Sequence, residues 1–486
     1  MDSIPESHAE IPWPVHSLFS WEDRLGNADI TAAVDDLRAR VRGEVLRPGD
    51  TGYDEARSIW NGMIDRRPAV IVRCGGAADV IAAVDFARDR DLLLSVHGGG
   101  HNVAGKAVCD NGLMIDLSPM NGVRVDPVTK TARAGAGATW GDFDRETQVF
   151  GLATTGGLIS STGVAGLTLG GGIGYLTRSY GLACDNLLAV DVVTADGRLV
   201  QASATENPDL FWALRGGGGN FGVVTSLEFQ LHDVGPDVAM AQIFHPIDAA
   251  GDILRFYREF SASAPDEVAL YALIVRCPPV DPFPKAFQGK PVIALVACCS
   301  GDVEKGKTLL APLSSHGKPF LAVVDAMPYA ALQKSFDAGN PAGERYYWKS
   351  HYLGDLSDEA LDVIARYSTD LRGEFTIVGI EPVDGAAGRI GVTATAYPHR
   401  RAPYSFGIWT GWSKSEDDEE NIAWTREFHD AMKPFGAGAY VNYLDHDDAG
   451  RVAEAYGENY PRLVEVKKKW DPDNLFRMNQ NIAPAG

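Results

Sequence analysis

The sequence is poor in the features that mark several functional classes. Its six cysteines, Cys74, Cys109, Cys184, Cys277, Cys298 and Cys299, form no CxxC pair and no His/Cys spacing suited to a metal. That argues against a cysteine-framed metal centre and points to reduced, buried thiols. The adjacent Cys298 and Cys299 close the apolar run 292–297, which reads as a strand. No apolar run reaches the ~20 residues needed to span a bilayer. Basic charge is scarce too: 44 Lys and Arg stand against 65 Asp and Glu, a formal charge of −21. This disfavours nucleic acid or an anionic membrane as a partner. The start, Met1-Asp2-Ser3-Ile4-Pro5-Glu6, lacks the basic and apolar regions of a secretory signal, so a cytoplasmic protein is expected. There is no internal repeat or low-complexity tract, and the acidic run Glu416-Asp417-Asp418-Glu419-Glu420 reads as a solvated helix start or loop.

What is present is length and glycine. A chain of 486 residues exceeds one ordinary core, so two or three domains are expected. Residues 69–73 read as a strand, 77–88 as a helix with Val80, Ile81 and Val84 on one face, and 92–96 as a second apolar strand. This β-α-β unit delivers the run Ser95-Val96-His97-Gly98-Gly99-Gly100-His101-Asn102 at a strand's C-terminal end. Glycine amides can approach a pyrophosphate closely, and a histidine at the loop's end can reach the ring system that the pyrophosphate carries.

Further along, 113–117, 123–125 and 131–133 predict a meander, and Thr139 with Asp142 predicts an N-cap for a helix reaching Phe150. Thr194-Ala195-Asp196-Gly197-Arg198 predicts a hairpin turn, and Asn207-Pro208-Asp209 a helix start that Gly216 can end. The run 215–222 fails as a dinucleotide fingerprint, because it follows a helix and has no acidic residue about 20 positions on along a second strand. A nicotinamide cofactor is therefore not expected.

The segment Gly99-Gly100-His101-Asn102, with Val103-Ala104-Gly105 after it, resembles that of FAD-linked oxidases of the berberine bridge enzyme type, within the vanillyl-alcohol oxidase superfamily. Agreement runs over nearly the whole chain, through 170–175, 180–186, 220–224, Tyr440-Val441-Asn442-Tyr443, 456–460 and 471–476. The pattern is nearest to the bacterial amine and alcohol oxidases of that family. The resemblance implies an α+β fold: a two-part PCMH-type FAD-binding domain over 1–235, an α+β substrate domain with a central antiparallel sheet over 236–436, and a C-terminal segment over 437–486 that returns to the FAD domain.

It also implies FAD bonded to His101 through the flavin's 8α carbon. Ile159 stands where doubly linked members have a cysteine, so a single link is expected, and Leu167 stands where plant members often carry a histidine. Val96, His97, Gly98, Gly99, Gly100, Asn102, Ser161, Thr162, Gly163, Gly166 and Val224 are expected around the cofactor. Asn442, Asn479 and Asn481 are expected as amide partners for its polar edge. Gly157 matches a position where small residues leave oxygen a path to the flavin, although a turn glycine needing positive φ is an equal reading.

Many plant members use a glutamate on a central substrate-domain strand ahead of a Phe-Pro-His-Arg motif. Here the motif is Tyr397-Pro398-His399-Arg400, and counting back reaches Arg389, which cannot act as a base. Proton removal therefore passes elsewhere, and the resemblance to bacterial oxidases with a catalytic tyrosine implies Tyr443, with Tyr440 as its alternate and Arg389 as the cation that would ease phenol ionisation. Tyr440 and Tyr443 also fit half-buried aromatics on one strand, and His399 and Arg400 fit structural as well as catalytic roles. The expected activity is removal of a hydride from a CH-OH or CH-NH group of a small organic molecule, with molecular oxygen as acceptor and hydrogen peroxide as product. A dehydrogenase with another acceptor and a flavin-binding protein without turnover are the rivals. Substrate and oligomeric state are not specified by the residues.

Overall fold

The structure, a computed structural model, describes residues 27–484. Its first sheet holds β1 (Glu44–Leu46), β2 (Val70–Arg73), β3 (Leu94–His97) and β4 (Leu113–Asp116), in the order β1-β2-β4-β3. Helix Ala77–Asp89 joins β2 to β3 and buries Val80 and Val84. The expected β-α-β unit forms, but its two strands are separated by β4, which pairs in parallel with both. The segment 113–117 is thus not part of a meander. All four residues of β4 are buried, and a strand covered on both faces reads as a continuous apolar run and not an alternating one.

The second sheet is antiparallel. It takes β5 (Val123–Asp126) and β6 (Thr131–Gly135), then, beyond the two-residue β7 (Leu152–Ala153), β8 (Leu187–Val193), β9 (Leu199–Ser203) and β10 (Val223–Gln230), in the order β5-β6-β10-β8-β9. β7 pairs with β11 (His232–Asp233). The Thr139 cap forms a capping box with Asp142 and starts helix Trp140–Thr147, which a 3-10 turn extends to Phe150. β8 and β9 form the expected hairpin.

The third sheet has seven antiparallel strands: β12 (Asp237–Pro246), β13 (Val268–Arg276), β14 (Pro291–Cys299), β15 (Leu321–Pro328), β16 (Arg345–Leu353), β17 (Ile377–Pro382) and β18 (Tyr404–Trp412), in the order β15-β12-β14-β13-β17-β18-β16. Helices Ala250–Ser263, Val303–Ser315, Asp358–Ser368 and Asp418–Met432 cover one face. The acidic run enters the start of the last of these.

Strand alternation decides what reaches the other face. Leu270, Ala272 and Ile274 of β13, Val378 and Ile380 of β17, and Phe406 and Ile408 of β18 pack beneath the helices. Their neighbours Tyr271, Leu273, Ile377, Glu381, Ser405 and Trp409 therefore point the opposite way. A cross-strand glycine pair, Gly379 opposite Gly407, makes room there for an indole. A Cβ at either position would come within 2.7 or 2.2 Å of the Trp409 ring.

Among the described residues no helix is long and apolar enough to cross a membrane, and no cluster of His, Cys, Asp and Glu is placed to hold a metal ion.

Candidate active site

A cavity of about 340 Å³ lies between the glycine loops of the first half of the chain and the face of the seven-stranded sheet opposite the four long helices. Val96, Gly98, Gly99, Gly100, His101 and Asn102 form part of its wall. The loop needs its glycines. A Cβ on Gly99 would sit 2.3 Å from the amide nitrogen of Gly163, and one on Gly163 would sit 2.6 Å from that of Gly99, so the two backbones cross at van der Waals distance. Gly100 has φ +67°, a left-handed conformation that L-residues avoid.

His97 is placed differently from expectation. Its Nδ1 lies 3.2 Å from Oδ1 of buried Asp116, and it is absent from the cavity wall. The alternation of β3 turns Val96 and His97 to opposite sides.

His101 is held on three sides. Nε2 hydrogen-bonds with Ser161 Oγ at 2.8 Å, Nδ1 with Thr162 Oγ1 at 3.3 Å, and the ring stacks on Trp60 at 5.0 Å. Burial, with His97 nearby, pulls its pKa down to about 3, so the imidazole is neutral at ordinary pH and able to act as a nucleophile. Gly157, Ile159, Thr162, Gly163, Gly166 and Leu167 line the cavity beside it, while Ser161 acts through the histidine. Gly157 has no positive φ, so the turn-glycine reading fails. A Cβ there would lie 2.9 Å from Leu167 Cδ1, which makes the residue a space-keeper.

At the far end Gly218, Gly219, Gly222, Val224 and Asn479 complete the wall. The neighbouring Asn220 and Phe476 are tied together by the fully buried pair Lys467 and Asp471, 2.6 Å apart, whose ammonium also donates to the carbonyls of both. Asn479 Nδ2 donates to the carbonyls of Gly219 and Phe476, and its Oδ1 is buried without a partner. An orphaned acceptor facing a glycine-lined cavity fits an expected flavin dinucleotide, which brings N–H donors for the amide oxygen and phosphate oxygens for the glycine amides. Asn442 lines the cavity, its Nδ2 donating to Leu167 O and Tyr440 Oη. Asn481 stands outside the wall.

The reactive end is formed by the tail folding onto the sheet. A 3-10 turn, Val441–Tyr443, brings the Tyr443 hydroxyl to 3.1 Å from each carboxyl oxygen of Glu381 on β17. Ser405 Oγ, from β18, donates to the same carboxyl at 3.0 Å. Burial pushes Glu381 up to about 7, against the pull of these two hydrogen bonds. Burial, and then Glu381, push Tyr443 well above the ordinary phenol range.

Three sequence expectations are corrected here. Tyr443 ends a 3-10 turn that Tyr440 immediately precedes, and neither lies on a strand. Tyr440 is buried away from the cavity, its oxygen accepting from the Gly172 amide at 2.8 Å and from Asn442. Arg389 is exposed on the short helix Ala386–Arg389 and pairs with Asp266, so it supplies no charge to Tyr443.

Counting back from Tyr397 missed Glu381 because residues 383–396 leave the sheet before the motif. The signal was a lone acid in the apolar run Ile377-Val378-Gly379-Ile380-Glu381. His399 and Arg400 are structural. Arg400 makes a bidentate pair with Asp185, both side chains under 5% exposed, and His399 Nε2 hydrogen-bonds with Ala455 O.

The FAD binding domain family matches residues 68–203, and the berberine and berberine-like family matches 439–483. The chain is 31% identical to (R)-6-hydroxynicotine oxidase of Paenarthrobacter nicotinovorans, over 92% of this chain and 98% of the relative. A crystal structure of 6-hydroxy-D-nicotine oxidase from Arthrobacter nicotinovorans superposes with a TM-score of 0.82 at 30% identity, covering 92% of this chain and 98% of that one. Xylooligosaccharide oxidase from Myceliophthora thermophila, with xylobiose, gives a TM-score of 0.82 at 25% identity, covering 94% and 100%.

Proposed function

The chain belongs to the berberine bridge enzyme-like FAD-linked oxidoreductases, and on that premise we propose that it is an oxidase of a small CH-OH or CH-NH substrate, with oxygen as acceptor and peroxide as product. The observation that carries this reading is the Tyr443–Glu381 pair, set in the same cavity as His101 and the glycine loops.

FAD bound there would accept a hydride. The protein must dispose of the proton left on the substrate's oxygen or nitrogen. Tyr443 is no free phenolate at neutral pH, since burial opposes its ionisation. It serves instead as a bridge: its oxygen takes the substrate's proton while its own proton passes to the ionised Glu381 carboxyl.

His101 is the residue to hold the flavin covalently. A single link follows from Ile159, and none of the six cysteines lines the cavity. Gly157 keeps space open on the cavity wall, as a path for oxygen requires. An oxygen electrode with a panel of alcohols and amines tests the assignment. Peroxide formation is the expected result, dye reduction without oxygen uptake would make the protein a dehydrogenase, and neither would make it a flavin carrier.

A further inference from the structure

Relatives named for a hydroxynicotine and for a xylooligosaccharide leave the substrate of this chain open. Resting on the oxidation proposed above, we infer that the chamber beneath Tyr443 is a cation receptor, which selects an amine in its ammonium form by the carboxyl of Glu381 and the faces of surrounding aromatic rings.

Among the described residues Glu381 is a buried acid with no basic partner. Its residue is 3% exposed, and its hydrogen-bond partners, Ser405 and Tyr443, are both neutral. A buried carboxyl without a cation is costly, and such acids are ordinarily paired with one. The groups that face it are Ser405, Tyr443 and, further off, Tyr271 and Tyr440, all uncharged at neutral pH. Lys106 is the one lysine or arginine on the cavity wall among the described residues, and it feels Arg66 and Asp445, not Glu381. The missing positive charge is one a ligand can bring.

The walls suit such a ligand. Trp348 on β16 and Trp409 on β18 are cross-strand partners, and both meet the Tyr443 ring edge-on, at 5.8 and 5.4 Å between centroids. Tyr271 joins them on the wall. Aromatic faces around one carboxyl attract a desolvated ammonium group through their quadrupoles, and a neutral polyol would gain nothing equivalent. The Nε1 atoms of Trp348 and Trp409 and the Tyr271 hydroxyl are buried without partners, so a ligand acceptor atom has donors to meet. The excess of 65 acidic over 44 basic residues raises the local concentration of cations around the molecule. Because burial holds Glu381 at about 7, a cation beside it would draw its pKa down and release a proton near neutral pH.

The test uses the flavin-loaded protein and two probes of one shape, para-(trimethylammonio)phenol and para-tert-butylphenol, titrated by calorimetry in buffers of different ionisation heat. The cation should bind about tenfold or more tightly than its neutral twin, with net proton release. Glu381→Gln should remove most of that preference and the proton release while keeping the bound-flavin spectrum. Trp409→Leu should weaken the cation more than the neutral probe.

Equal or tighter binding of para-tert-butylphenol to the wild type would overturn the inference, as would a preference untouched by Glu381→Gln. The parent reading fails separately: it falls if no alcohol or amine bleaches the flavin anaerobically, whatever the probes do. Bleaching by neutral alcohols with no cation preference would leave oxidation standing and remove the receptor.

Discussion

The hydroxyl of Tyr443 stands 3.1 Å from both carboxyl oxygens of Glu381, a residue 62 positions earlier in the chain. One comes from the tail's 3-10 turn and the other from a central strand, so the pair exists only when the C-terminal segment is docked on the sheet. Removing either end of this proton path should slow flavin reduction. General acid–base groups are typically worth ~10²–10⁴-fold, or about 3–5 kcal/mol, and Tyr443→Phe and Glu381→Gln should each cost that order without unloading the flavin. The double variant should cost little more than either single one.

The pH dependence has a defined sign. Glu381 must be ionised to accept the proton, and its pKa is raised to about 7. Reduction at limiting substrate, which reports the free enzyme, should therefore increase with pH up to about that value and level off above it. Anaerobic stopped-flow across pH should show this limb in the wild type and lose it in Glu381→Gln. A flat wild-type profile would place the base elsewhere.

Flavin should stay with the polypeptide after acid precipitation, because a bond from carbon to imidazole nitrogen survives unfolding. His101→Ala should release it, and mass analysis of a digest should find flavin only on the peptide containing His101. Free flavin from the denatured wild type, or a second flavinylated peptide, would contradict the single tether.

At Gly157 the added bulk of valine would press on Leu167, where a Cβ already comes within 2.9 Å, and narrow the cavity. Reoxidation by oxygen should slow while reduction by substrate changes little. Equal reoxidation rates in the two proteins would remove oxygen access as the role of this glycine.

Lys467 and Asp471 test the architecture of the far wall. Lys467→Met leaves a fully buried carboxylate uncompensated, and breaking a buried pair from one side costs about 3–5 kcal/mol. Urea unfolding should show that loss, with weaker flavin retention, because the carbonyls of Asn220 and Phe476 lose their shared donor. Adding Asp471→Asn should recover part of the stability. A Lys467→Met protein as stable as the wild type would show the pair to be dispensable.

Local rules recovered much of the chain. The strand before the glycine loop, the Thr139 N-cap, the hairpin at 194–198 and the helix begun by Pro208 each depend on neighbours within a few residues, and each formed. The family was legible for the same reason: its glycine segments are contiguous runs whose backbone conformations no other residue type supports as readily. Two readings that turned on a partner from elsewhere failed. Leu113–Asp116 looks like any short apolar run, and only the slot between β2 and β3 makes it a central parallel strand. Arg389 was assigned by counting along a segment that leaves the sheet, and length along a chain does not measure distance across a fold.

The sequence by itself determined that this chain carries a glycine-framed loop ending in His101, because close backbone approach is a property of the residues in the loop. It also supplied Tyr443 within a recognisable tail. Only the tertiary structure decided what Tyr443 works with. Strand alternation turns Glu381 and Trp409 to the same face, the glycine pair at 379 and 407 opens space for the indole, and the docked tail sets the phenol over the acid. A carboxyl near neutral pKa is a property of burial and of absent cations, and both are created when distant segments pack together.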